Sequence, residues 1–376
     1  MVYRSYGKKI DVKVSALGMG TMRLPTQPDG TVDGPQAIEL MEAAFDAGIN
    51  YADTAFPYHA ETSEGFLAEA LNNGWRDKVY IADKLPIWNV QKYEDQTPLF
   101  NTQLKRLQTE RIDFYLLHTL NKNYWKTVQV AKSIRWIDEL KKSGRIRYAG
   151  FSFHDDFDLF KTIIDAYDWD FCQIQYNYAY PHTQAGMRGL HYAASKGIGV
   201  AVMEPLLGGF LCDAKLPPAA IQIFKDAGLD PVATALRWLW NQPEVGTVLS
   251  GMSSRAQLDE NLKTASTASS GGLSAVEKEV IEKVCSVFRT SVEIPCTACG
   301  YCLKYCPVGV NIPEMFALYT AHTLAQGKNH LQKVLYTCMQ PNERADACIT
   351  CEQCLSHCPQ NLPIPHHLKT VAKTFA

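Results

Sequence analysis

Two stretches near the C-terminus, CTACGYCLKYCPVGVNIP from Cys296 and CITCEQCLSHCPQNLPI from Cys348, each carry four cysteines at the same offsets. A constant shift of 52 residues pairs Cys296 with Cys348, Cys299 with Cys351, Cys302 with Cys354 and Cys306 with Cys358. Of the 12 cysteines, only Cys172, Cys212 and Cys285 precede residue 296. A disulfide framework suits a small secreted domain. Thiolates gathered in one region of a large chain point instead to a bound metal or cluster. A second set of reactive side chains lies well before them: Asp53, Tyr58, Lys84 and His118. Free tyrosine has a pKa of about 10, too high for ready proton donation at neutral pH. A neighbouring ammonium favours the phenolate and lowers that pKa, a carboxylate can hold the ammonium in place, and an imidazole can orient a carbonyl. Such a set makes a general acid beside a hydride donor.

Asp53, Lys84 and His118 each follow a short apolar run that reads as a strand: INYA, VYIAD and IDFYLL. Up to about residue 265, such runs alternate with helical periodicity. VSALGMG precedes PQAIELMEAAFDAG, in which Ile38, Met41 and Phe45 fall at helical spacing between Pro35 and Gly48. Eight strand–helix pairs follow one another in this way, the last being GTVLSG with SRAQLDENLKTA. Helices between all strands imply a parallel sheet, and eight units of this length predict a closed (β/α)8 TIM barrel. Functional residues then belong at the C-terminal ends of strands, where these three stand. An open doubly wound sheet would carry G-x-G-x-x-G after the first strand, and this chain does not. The leading VYRSYGKKIDVKV reads as a hairpin under the barrel. The expected division is a barrel over 1–265, a linker and connecting helix over 266–290, and a cysteine-bearing domain over 291–376, with a helical stretch near MFALYTAHTLAQG.

The chain has 376 residues, is 46% hydrophobic and 20% charged, and has a net charge of −2. That charge gives no reason to expect nucleic acid as a partner. No apolar run approaches the roughly 18–20 residues of a spanning helix, and the N-terminus lacks the apolar core of a signal peptide. A cytoplasmic protein without a membrane partner is expected.

The first 265 residues resemble the aldo-keto reductase family through LGMGTMRLP, YADTAFPYHAE, IADKLP, IDFYLLH, YAGFS, CQIQYN, MEPLLGG and SGMSSRAQLDEN, in the family's order. The resemblance implies a catalytic tetrad of Asp53, Tyr58, Lys84 and His118, and NADP(H) or NAD(H) bound across the barrel mouth. It places Gly20 and Thr21 near the nicotinamide ribose, Ser152 and Gln173 on the carboxamide, and Leu206 and Gly208 at the pyrophosphate. Gly251, Ser253, Gln257, Glu260 and Asn261 would hold the adenosine end. The plain reading of GMSSRAQLDEN is a Ser-capped surface helix. The chain departs from the family at two positions: Phe153 follows Ser152 where Asn is usual, and Met203 stands where an aromatic usually stacks on nicotinamide. No Lys stands at the usual 2′-phosphate position, Gly251, though Arg255 could serve.

Cys-x2-Cys-x2-Cys-x3-Cys-Pro is the run expected for 4Fe–4S clusters in bacterial-type ferredoxins, in which the fourth cysteine ligates the other cluster. On that rule Cys296, Cys299, Cys302 and Cys358 hold one cluster, and Cys348, Cys351, Cys354 and Cys306 the second. Zinc is the alternative, although its sites usually use pairs of cysteines. The 41 residues between the runs exceed the separation in compact ferredoxins, so the tail resembles an α-helical, two-cluster ferredoxin-like domain. Barrel and tail together resemble bacterial aldo-keto-reductase-like oxidoreductases. Cys172, Cys212, Cys285 and Cys338 have no pattern and read as buried small hydrophobes. The leading expectation is an oxidoreductase acting on a small-molecule carbonyl or alcohol, its clusters exchanging electrons with an electron-transfer protein. The alternatives are an electron-transfer or docking protein with an idle barrel, and a redox sensor. Trp88, Tyr93, Tyr124 and Trp125 lie in two long loops and read as loop anchors that could also line a pocket.

Overall fold

The computed structural model describes residues 1–212, 215–324 and 331–375. They form two compact units: Met1–Pro205 with Leu236–Leu273, and Leu206–Ala235 with Ser274–Ala376.

The first unit opens with an antiparallel hairpin, β1 (Tyr3–Ser5) and β2 (Lys13–Ser15). The barrel strands are β3 (Leu17–Gly20), β4 (Tyr51–Asp53), β5 (Tyr80–Leu85), β6 (Ile112–Leu120), β7 (Ile146–Phe153), β8 (Phe171–Gln175), β9 (Gly199–Met203) and β10 (Val245–Ser250). They pair in parallel in chain order, and β10 closes the ring by pairing with both β9 and β3. This is the barrel that the strand–helix alternation predicts. The hairpin segment plugs its N-terminal end. Tyr6, fully buried, meets Tyr51 edge-on at 5.8 Å and packs on Phe114 and Phe171. Tyr51 begins β4 and Asp53 ends it, so the plug and the reactive residue lie at opposite ends of one short strand.

The helices start and stop where their signals stand. Asp33 caps the helix Gly34–Asp46 by accepting from Gln36 N, and Pro35 sits in its first turn. Gly48 ends the segment with φ of +95°, a backbone that glycine adopts without strain. One expected loop is a helix: Lys122–Val130 follows β6, with Asn121 Oδ1 accepting from Asn123 N and Tyr124 N at 2.9 Å each. Another helix, Pro218–Asp226, lies between β9 and the helix Pro231–Trp240 and was not among the eight pairs.

The second unit is helical outside its cysteine loops, with Ala275–Ser291, Ile312–Leu324, Leu331–Cys338 and Ile364–Phe375. Ser274 and Glu277 form a reciprocal cap that starts the first of these. The stretch expected to be helical near MFALYTAHTLAQG is the helix Ile312–Leu324, and its residues 325–327 lie outside the described residues. The core gathers Ile294, Val310, Phe316, Leu368 and Phe375 around the cysteine loops. Among the described residues, no helix is long and apolar enough to cross a membrane.

Candidate active site and cysteine pockets

The strand ends bring Asp53, Lys84 and His118 to one end of the barrel, and the loop after β4 adds Tyr58. Lys84 has no solvent exposure. Its Nζ donates to Asp53 Oδ1 and to the Thr54 carbonyl, each at 2.7 Å, and lies 5.1 Å from the centre of the Tyr58 ring. A buried ammonium without partners would be too costly to keep charged, and these two acceptors hold it. Burial raises the Asp53 pKa, opposed by the charge and hydrogen bond of Lys84. The His118 ring is 6.3 Å from that of Tyr58 and nearly perpendicular to it. Burial, then the Lys84 charge and His154, push the His118 pKa well below its ordinary 6.5, so the imidazole is neutral at physiological pH.

Backbone geometry presents Tyr58. The three residues after it, His59, Ala60 and Glu61, have φ of +49°, +51° and +69°. Consecutive left-handed residues other than glycine are uncommon and need support. His59 Nε2 accepts from Leu24 N at 3.2 Å, Thr62 Oγ1 bonds back to the His59 carbonyl at 2.7 Å, and Glu61 pairs with Arg106. Arg106 also holds Glu64, which is fully buried, at 2.9 Å.

Trp88 packs on His118 with centroids 5.1 Å apart and on Tyr124 at 6.3 Å, so two of the four loop aromatics form a wall beside the imidazole. The other two are anchors: Tyr93 bonds Glu139, and Trp125 is buried. His154, just past β7, is a site residue that sequence reading missed. It is buried, its pKa is pushed down to about 4 by burial, and its Nδ1 lies 3.2 Å from Gln184 Oε1. Gln184 donates its amide N–H to Gln175 Oε1, which leaves Oε1 to accept from His154. The only sequence signal was its place one residue after the Ser152–Phe153 departure.

Of the residues expected around a nicotinamide, Gly20 ends β3, and Ser152 and Gln173 lie on the adjacent strands β7 and β8. Gly20 faces Asp53 in register, and Thr21 Oγ1 donates to the Asp53 carbonyl at 3.1 Å. Ser152 is in register with Gln173, and its Oγ accepts from Thr119 N at 2.7 Å. Gln173 Oε1 is buried without a hydrogen-bond partner. A buried acceptor left unpaired costs about 1–3 kcal/mol, and the amino group of a carboxamide would satisfy it. Phe153 is fully buried against Phe160 rather than offering a polar group. After β10, Gly251 and Ser253 lead into the helix Arg255–Ala265, capped by Ser254. Ser253 N and Oγ both bond Gln257 Oε1, at 2.8 and 3.2 Å, and Glu260 is exposed. Asn261 is buried and donates to Ser250 Oγ at 3.1 Å, tying the helix to β10. Arg255 pairs with Asp259 at 2.8 Å.

Leu206 and Gly208 belong to the second unit. Gly208 has φ of +65°, and a Cβ there would stand 2.6 Å from the Thr297 carbonyl oxygen, so only glycine fits against the first cysteine loop. That loop contributes Cys296, Cys299 and Cys302 to a pocket whose fourth thiol is Cys358. A second pocket is lined by Cys348, Cys351, Cys354 and Cys306. The fourth cysteine of each run thus crosses to the pocket of the other. Burial and then the neighbouring thiols Cys299, Cys296 and Cys358 raise the Cys302 pKa, and Cys354 is pushed up to about 11, chiefly by burial. Tyr305 and His357, one residue before each crossing cysteine, stack face to face with centroids 3.4 Å apart. Among the described residues, no three His, Cys, Asp or Glu side chains converge as they would on a single metal ion. Of the unpatterned cysteines, Cys172 and Cys285 are buried as expected. Cys212 is half-buried and Cys338 exposed, because the latter ends a helix whose other face is packed.

The profile described as "Aldo/keto reductase family" matches residues 16–270, and the profile described as "4Fe-4S dicluster domain" matches residues 295–362. L-galactose dehydrogenase from Arabidopsis thaliana is 25% identical over 300 residues, covering 73% of this chain and 90% of its own. Among solved structures, an aldo-keto reductase from Bacillus halodurans in its holo form is 26% identical, with a TM-score of 0.62 over 76% of this chain and 96% of that one. The barrel fold is also that of an aldo/keto reductase from Klebsiella pneumoniae, solved with NADP and acetate. It is 21% identical, with a TM-score of 0.60 over 75% of this chain and 94% of that one.

Proposed function

Because the chain belongs to the aldo/keto reductase family and carries a 4Fe-4S dicluster domain, we propose that it reduces a small-molecule carbonyl, or oxidises the matching alcohol, with a nicotinamide dinucleotide. The observation that carries this reading is the buried Lys84 ammonium, held by Asp53 and lying 5.1 Å from the Tyr58 ring, beside a neutral His118. Tyr58 is the proton donor to the carbonyl oxygen. Lys84 stabilises the phenolate left behind, and Asp53 keeps Lys84 in place. Neutral His118 donates an N–H hydrogen bond to the same oxygen without adding a charge that would repel Lys84. The Trp88–Tyr124 wall excludes water and offers an apolar face to the substrate. Ser152 and Gln173 would hold the nicotinamide carboxamide, and a bound nicotinamide supplies the hydride.

In the second unit, each pocket offers the four thiolates of a 4Fe–4S cluster. Cys296, Cys299, Cys302 and Cys358 would hold one, and Cys348, Cys351, Cys354 and Cys306 the other. Such clusters supply one-electron transfer, whereas hydride carries two electrons together. The fitting role for the second unit is exchange with a separate electron-transfer protein. The experiment for the barrel uses NADPH or NADH deuterated at C4 and a panel of aldehydes and ketones. Deuterium in an alcohol product supports the reading. Absence of both dinucleotide binding and transfer, in folded protein with intact clusters, overturns it and favours an electron-transfer protein with an idle barrel.

A further inference from the structure

Gln173 is held from two sides of the sheet, by Ser152 of β7 and Ala201 of β9 in register. Its side chain is buried, and its Nε2 lies 3.5 Å from the sulfur of Met203 at the end of β9. A thioether can only accept a hydrogen bond. It therefore selects one orientation of the amide, with nitrogen toward sulfur and oxygen away. The reverse orientation would set two acceptors against each other with no proton between them. This is the orientation in which Gln173 Oε1 is buried and unpaired. Ser152 Oγ already accepts from Thr119 N, so its hydroxyl hydrogen is the group it has left to give. The two adjacent residues thus offer one donor and one acceptor, the complement of a primary carboxamide with its carbonyl oxygen and amino group. Met203 occupies the position where the family resemblance leads one to expect an aromatic ring.

We propose that Met203 is a positioning residue whose sulfur fixes the Gln173 amide so that its oxygen receives the amino hydrogen of the nicotinamide carboxamide. The proposal rests on the nicotinamide reading above, and what it adds is the role of the Met203 sulfur in fixing the Gln173 amide.

The test is equilibrium titration of the full-length protein with oxidised NADP and with its 3-acetylpyridine analogue, in which a methyl replaces the amino group. The corresponding NAD pair is run alongside. Wild type is expected to prefer the natural dinucleotide by about tenfold, the worth of one hydrogen bond to a buried acceptor. Met203→Leu keeps the volume and removes the acceptor. The amide can then turn over and donate to the carbonyl oxygen of either ligand, so the preference should fall to about twofold or less. A merely structural Met203 would lower affinity for both ligands and leave their ratio alone. An unchanged ratio in a folded Met203→Leu overturns the proposal while leaving nicotinamide binding intact. Wild-type protein that binds no dinucleotide overturns the nicotinamide reading itself.

Discussion

His154 shows how one buried side chain shapes the behaviour of the barrel. Its pKa in the folded chain is about 4, against an ordinary 6.5. The unfolded chain therefore takes up a proton first as pH falls, and folding stability is lost between 6.5 and 4. At pH 5 this one group should have removed about 2 kcal/mol relative to neutral pH. His118, shifted in the same direction, adds to the loss. Denaturant unfolding at pH 7 and pH 5 should show a smaller loss in His154→Gln than in wild type, and equal losses would contradict the assigned burial. At this scale the sequence revealed the groups that sit on strand ends by themselves. Asp53, Lys84 and His118 each close an apolar run, and Tyr58 lies a short fixed distance beyond the first. His154 and Met203 were not readable in their present roles. The role of each depends on a partner from another strand, Gln184 for one and Gln173 for the other.

Among the elements, the cysteine loops follow the sequence most closely, because the constraint on them is local. Their offsets match the ferredoxin run from which the crossed arrangement is expected, and each four-cysteine pocket takes its last member from the other run. Replacing Cys306 with Ser should therefore damage the cluster proposed for the pocket of Cys348, Cys351 and Cys354 more than the one proposed for the pocket of Cys296, Cys299 and Cys302. Cys358→Ser should do the opposite. Anaerobic iron analysis and low-temperature EPR of the reduced proteins check this against about eight irons for two intact cubanes. Loss of the sequence-adjacent cluster in either variant would refute the crossing. The helices were less evenly readable. Gly34–Asp46 carries a cap, an early Pro and a terminal Gly, and the apolar spacing between them identifies it. Lys122–Val130 lies in a stretch expected to be a loop, and its aromatic and β-branched residues have weak helix propensity. The Asn121 cap was the signal available for it.

At the scale of the whole molecule, the alternation of strands and helices foretells a parallel sheet covered by helices, and the count of eight units, with no G-x-G-x-x-G after the first strand, is what points to a closed barrel. That Leu206–Ala235 gathers with the C-terminal residues could not be foreseen. The grouping comes from packing between segments far apart in sequence, such as Gly208 against Thr297, and no local period records it. The chain thus joins a barrel whose strand ends suit proton and hydride chemistry to a unit whose thiols suit one-electron chemistry. The central claim is that the first of these is a working reductase built on Tyr58. The most direct measurement compares NADPH- and NADH-dependent carbonyl reduction by wild type and Tyr58→Phe, across a panel of aldehydes and ketones, in full-length anaerobic protein. The ring is retained, so dinucleotide affinity should be nearly unchanged. Loss of proton donation should lower kcat by about 10²–10⁴. Equal turnover by the two proteins would contradict the account.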